Sequence, residues 1–136
     1  MIPERYAPHT YALMRIVFGL MFLTYGLQKW GMFSGQAAPL LSWPFGVAGA
    51  IEVICGVLIT LGLVTRVAAF VAAGEMAVAY FWVHQFGGIL IGQTPGGFPV
   101  QNGGIPAVLF CFGFLYIASR GPGIMSVDAS RRAGGK

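Results

Sequence analysis

The sequence predicts an all-α integral membrane protein: a bundle of four transmembrane helices, one domain over residues 1–136, with both termini in the cytoplasm. Three observations carry this expectation. First, 57% of the 136 residues are apolar and only 9% are charged, with a mean hydropathy of +0.76, whereas a soluble domain carries roughly 25% charged residues. Second, four apolar stretches come close to the length of about 20 residues that a helix needs to cross the hydrocarbon core. Third, four of the twelve charged residues (Arg15, Lys29, Glu52 and Glu75) lie inside or at the edge of those stretches. A charge in hydrocarbon costs several kcal/mol and survives mainly when partnered or functional, and two acids with two bases suggest a paired internal cluster.

The first stretch covers 11–30. Within it Arg15, Gly19, Phe22, Gly26 and Lys29 recur at steps of four, three, four and three, which at about 100° per residue makes one stripe of a helix. Glycines on a stripe let a neighbouring backbone approach, so this face should look into the bundle and carry both basic residues with it. The second stretch, 45–64, bears a similar ridge of Ala48, Glu52, Gly56 and Thr60. The third, 67–88, with apolar character running on to Ile91, puts Ala68, Ala72, Glu75, Ala79 and Trp82 on one face. The fourth, 105–119, is the shortest, and a basic tail over 120–136 follows it.

An even number of spans puts both ends and the turn after the second helix on one side. That side then holds Arg5, Arg66, Arg120, Arg131, Arg132 and Lys136, and the other holds Lys29 at most. Basic residues concentrate in cytoplasmic loops, which sets the orientation. The net charge of +4 thus reads as a topology signal that also favours anionic lipid, with no nucleic-acid partner implied. The first apolar stretch is too long for a cleaved leader and lacks a small-residue cleavage site.

Depth suggests partners. At about 1.5 Å rise per residue, Glu75 lies roughly 13 Å and Arg15 roughly 6 Å above the inner boundary, while Glu52 lies roughly 10 Å below the outer one, where Lys29 sits. Arg15 is therefore expected near Glu75 and Lys29 near Glu52. The alternative for the second pair is that Lys29 snorkels outward and leaves Glu52 neutral.

The remaining signals are weaker. His84 follows Glu75 by nine residues, which places it on the opposite helix face, where an interfacial or structural role is expected. His9 belongs on the other side of the membrane, so no histidine pair can hold a haem. Cys55 and Cys111 should lie at similar depth; without a CxxC or a zinc-like spacing they read as small apolar fillers rather than a redox pair. Segment 31–44 includes a short interfacial candidate at 37–43, and the glycine- and proline-rich 87–104 is apolar enough to fold back as a lid. Trp30, Trp43 and Trp82 suit an outer aromatic belt, and Tyr6, Tyr11 and Tyr116 an inner one. Aromatic walls for a quinone-like ligand are the sharper reading of the same residues.

These residues together resemble the DoxX family of small bacterial membrane proteins. The resemblance runs through Arg15, Gly19 and Tyr25-Gly26-Leu27-Gln28-Lys29, then Glu52, Gly56, Gly62, Thr65-Arg66 and Ala68-Ala69, and ends at Asn102-Gly103-Gly104, Gly121-Pro122-Gly123, Ser126 and Asp128. Two positions depart from the pattern: Tyr25 stands where relatives often have histidine, and Ile105-Pro106 stands where an acid usually follows the paired glycines. The resemblance implies four helices in the bacterial cytoplasmic membrane. It also implies an accessory or quinone-reactive role beside a membrane oxidoreductase, such as thiosulfate:quinone oxidoreductase. Arg15, Lys29 and Glu52 would form its internal polar site and Arg66 an anchor at the cytoplasmic turn.

Three functions stay open on the residues. In the first, a quinone binds between helices near Glu52 and Lys29, with Glu75, Tyr25 and His84 as further candidates. The chain has no flavin fold, cluster ligands or metal set of its own, so a soluble or membrane oxidoreductase partner would deliver the electrons. In the second, the internal charges only hold a scaffold together. The third is a proton-coupled small-solute carrier, which four short helices could support only as a homo-oligomer.

Overall fold

The computed structural model describes residues 3–33, 37–87 and 94–134, and every regular element in them is helical. Helix α1 spans Ala7–Lys29, preceded by one 3₁₀ turn at Glu4–Tyr6. Helix α2 is Phe45–Leu61, and α3 is Thr65–Ala79, prolonged by a π-helical segment Tyr80–Gln85. A single turn α4 (Pro99–Asn102) leads into α5 (Ile105–Arg120), and the short α6 (Val127–Gly134) ends the described chain. Two helical runs, Glu4–Lys29 and Thr65–Gln85, are long and apolar enough to cross a membrane, whereas α2 and α5 are apolar but shorter. The fourth predicted stretch thus forms as expected. The second ends three residues early because Gly62 adopts a left-handed conformation (φ 68°) that closes the helix. The predicted run-on to Ile91 and the centre of the predicted lid fall on residues 88–93, outside the described residues.

The helices form two hairpins. Helix α1 packs most extensively on α2, and α3 on α5. The first interface is a glycine seam. The predicted stripe of α1 is buried at Arg15, Gly19, Phe22 and Gly26, and on α2 Gly49, Glu52 and Gly56 are buried. A Cβ on Gly56 would lie 2.6 Å from the Leu23 backbone nitrogen and 2.9 Å from the Gly19 carbonyl. Backbone cannot move aside as a side chain can, so only glycine permits this approach. The second hairpin uses alanine: Ala68, Ala69, Ala72 and Ala73 of α3 and Ala107 of α5 are buried.

The two hairpins meet along two unlike lines. Between α1 and α5 the space is filled by rings. Phe22 and Phe114 are 4.7 Å apart at their centroids, and Phe18 and Tyr25 stand edge-on to Phe110 at 5.5 and 5.7 Å. Aromatic pairs of this kind are worth about 0.5–1.5 kcal/mol beyond the area they bury. Between α2 and α3 the gap is a cavity.

At the end of the bundle that carries most of the arginines, three helix termini are capped by distant side chains. Arg15, fully buried, donates to the carbonyls of Ile59 and Thr60 at the end of α2 (2.5 and 2.8 Å) and to Met125 (2.7 Å). Arg66 donates to Ala118 and Ser119 at the end of α5 (2.9 and 2.6 Å). Asp128 accepts from the Val64 and Thr65 backbone N–H groups and the Thr65 hydroxyl, all at 3.1 Å, and so caps the start of α3. Terminal carbonyls and N–H groups lack intrahelical partners, and cations suit the first kind and anions the second.

Two predictions follow from this packing. Gly56→Ala should destabilise the protein by about 2 kcal/mol or more through overpacking. Gly74→Ala, at a helical position with open space around its Cβ, should be neutral or stabilising by up to about 1 kcal/mol. Thermal unfolding in detergent reads both, and equal effects would refute the seam. For Asp128, partial burial pushes its carboxyl up, but the bonds from Thr65 and Val64, with the Arg131 charge, hold it below the ordinary value of 3.8. A depressed carboxyl stabilises the fold above that value, and the contribution fades as pH falls through the lower folded value. Asp128→Ala should therefore lower the melting temperature at pH 7, and the gap from native should shrink below about pH 3.8.

Candidate functional site

The cavity between α2 and α3 has a volume of about 360 Å³ and opens among lipid-sized apolar side chains. Its polar wall comes from three helices. Lys29 is the last residue of α1, Glu52 lies two turns into α2, and Glu75 lies near the middle of the run from Thr65 to Gln85. The Lys29 Nζ donates to both oxygens of Glu52, at 2.6 and 2.5 Å. The Glu52 side chain is 2% exposed and that of Lys29 is 25% exposed, so the ammonium reaches inward from the end of its helix. This is the expected pairing, and the snorkelling alternative is not adopted.

Glu75 differs. Both of its carboxyl oxygens are buried, and neither has a hydrogen-bond partner among the described residues. The expected Arg15–Glu75 pair does not form. Arg15 points instead to the carbonyls at the end of α2, which with that of Met125 accept three hydrogen bonds from its two terminal nitrogens, while its buried Nε has no partner among the described residues. The cavity thus holds two carboxyls and one ammonium, and the ammonium bonds only Glu52.

The other walls are apolar. Ala48 and Ile51 from α2 face Met76 and Ala79 from α3. Trp43 and Trp82 join them, with ring centroids 5.7 Å apart and planes tilted by 38°. Both tryptophans suit an aromatic belt at a membrane boundary, and they also wall the cavity. Trp82 sits seven residues after Glu75, which is the sequence signal that links them; Trp43 has no comparable signal. Val71 and Val78, on the lining, are exposed on the outer surface of the bundle.

Two further candidates lie elsewhere. Tyr25 stands at the α1–α5 seam against Phe110 and does not line the cavity. His84 lies in the π-helical segment, where its Nδ1 is 2.9 Å from the Asn102 carbonyl oxygen. Asn102 in turn donates to Gln85 and accepts from the Gly104 N–H. That network ties Asn102 and Gly104 to the π-helical segment, and none of the described residues of 94–104 lines the cavity, so the lid expectation is not met there. The same network gives the Asn102-Gly103-Gly104 run a structural role that sequence alone did not reveal. Cys55 and Cys111 both carry free thiols. Among the described residues no group of three or more histidine, cysteine or acidic side chains is placed to hold a metal ion.

The fold and site describe a small all-helical protein whose apolar surface and internal ion pair belong in a membrane. It belongs to the DoxX family: the DoxX family model matches residues 10–85, a span that contains Lys29, Glu52 and Glu75. An uncharacterised protein of Haemophilus influenzae is 40% identical over 133 residues, covering 92% of each chain. An uncharacterised membrane protein of Mycobacterium tuberculosis is 29% identical over 140 residues, covering 93% of this chain and 85% of its own. No solved structure matches the chain.

The ion pair gives a direct test. Lys29→Met strands a buried carboxylate and should cost about 3 kcal/mol, whereas Lys29→Met with Glu52→Gln should recover most of that loss. Chemical or thermal unfolding of the two variants in one detergent measures the difference; additive losses would show that the contact contributes nothing specific.

Proposed function

We propose that the chain is a four-span protein of the bacterial cytoplasmic membrane, both termini inside, that binds a quinone in the α2–α3 cavity beside an oxidoreductase partner. The observation that carries this reading is Glu75: a carboxyl with no hydrogen-bond partner among the described residues, at the polar end of an apolar, aromatic-walled cavity. A volume of about 360 Å³ falls within the roughly 300–1,000 Å³ of small-molecule sites. Exposed Val71 and Val78 on the lining suit entry from the side, out of the lipid.

The residues present fit such a ligand. Trp43 and Trp82 would flank a ring, and Glu75 and the Lys29–Glu52 pair would meet its oxygens. A quinone supplies a two-electron, two-proton couple when bound. The chain's own part is to hold the ring, exclude water and keep proton-exchanging groups within reach of it. Electrons would come from the partner. Four spans and the inward orientation are supported by the basic residues gathered at one end of the bundle, with α2 and α5 completing the set of apolar helices.

A scaffold role also has one observation in its favour, since Arg15 only caps backbone and the Lys29–Glu52 pair joins two helices. That reading leaves Glu75 and the cavity without a purpose.

Tryptophan fluorescence of the purified protein should be quenched as a short-chain quinone analogue is titrated in. Glu75→Leu should weaken binding about tenfold or more, the worth of one hydrogen bond to a charged group. Trp82→Phe should reduce the quench without abolishing binding by a second assay. Absence of any quenching by the native protein would defeat the proposal.

A further inference from the structure

A second site lies at the opposite end of the bundle. The start of α3 and the start and middle of α6 enclose a cleft of about 350 Å³ lined by Val64, Arg66, Val67, Pro122, Arg131 and Arg132, with Asp128 at its edge. Its charges are unbalanced. Asp128 is the acid among the lining residues, and its oxygens are already engaged by three donors of Val64 and Thr65. Among the described residues the Lys29–Glu52 contact is the ion pair that forms, so neither Arg131 nor Arg132 has a carboxylate within bonding distance. Arg66 is held in place by the carbonyls of α5, which fixes one cation beside two others free to move. Three cations against one acid leave the cleft strongly positive.

The floor is apolar and continues along the helix. Val67 and Phe70 of α3 are both exposed, and their spacing of three residues makes one strip running from the arginines toward the middle of α3. Cations above an exposed apolar strip match one kind of molecule in both parts: a phosphate headgroup with its acyl chain. Guanidinium groups bind phosphate oxygens in pairs, and each arginine near an anionic membrane surface strengthens binding about fivefold. We infer that this cleft is a binding site for an anionic phospholipid, its phosphate held by Arg131 and Arg132 beside Arg66 and its chain lying on Val67 and Phe70. The site is separate from the α2–α3 cavity and does not depend on what that cavity binds.

The test uses full-length protein in a neutral detergent, with a fluorescent phosphatidylglycerol and the matching phosphatidylcholine as probes. Phosphatidylglycerol should bind at least tenfold more tightly. Arg131→Gln and Arg132→Gln should each weaken it about fivefold, and Arg132→Gln should do so with an unchanged melting temperature because the residue is exposed. Arg5→Gln, at the same end of the bundle but outside the cleft, should leave binding intact. Glycerol phosphate at millimolar concentration should fail to displace the lipid. Equal binding of the two lipids, an equal loss in Arg5→Gln, or full displacement by glycerol phosphate would each overturn the assignment.

Discussion

The Lys29 ammonium rests between the two oxygens of Glu52, and the placement of that contact organises the half of the bundle away from the arginine-rich end. It fastens the last turn of α1 to α2 where the glycine seam has brought the backbones together. Desolvating two charges is expensive, and the gain in attraction offsets the cost only if the geometry is tight and water is kept out. Close approach supplies both conditions. Had α1 and α2 stood at the distance that larger side chains impose, Lys29 could not have reached Glu52 without drawing water in.

That same contact makes Glu75 conspicuous. With Lys29 committed to Glu52 and Arg15 committed to helix ends, no cation in the core is left for it among the described residues. The core charges therefore divide by job. Arg15 closes backbone, Lys29 and Glu52 hold two helices together, and Glu75 has no hydrogen-bond partner among the described residues. The two lines where the hairpins meet divide in the same way. Interlocking phenylalanines make the α1–α5 line rigid, and the α2–α3 line keeps its opening.

Much of this was legible in the sequence, for identifiable reasons. The α1 stripe was readable because glycine, phenylalanine and the two basic residues recur at helical spacing, and all but Lys29 are buried where the period puts them. The Lys29–Glu52 pair followed from depth, since few groups lie near the outer boundary. Arg15 was misassigned because opposite charges announce themselves in a sequence and backbone carbonyls do not. Every helix end offers unpaired carbonyls, and nothing in the letters at 59, 60 or 125 marks them as acceptors. The cap from Asp128 onto α3 is hidden for the same reason, across more than sixty residues of chain. Tyr25 and His84 were drawn in by residue type and by a family pattern. The rotation of α1 and the hydrogen bond to Asn102 take them elsewhere.

Arg15 also says something about the order of events when the protein is made. The first helix carries a guanidinium that finds its Ile59 and Thr60 acceptors only after the second helix has been synthesised, and its Met125 acceptor only near the end of the chain. Asp128, emerging later still, completes the start of α3. A ribosome-bound chain therefore holds this end of the bundle incomplete until residues 125–128 have been made, so that stretch acts as the latch that shuts a structure begun more than a hundred residues earlier.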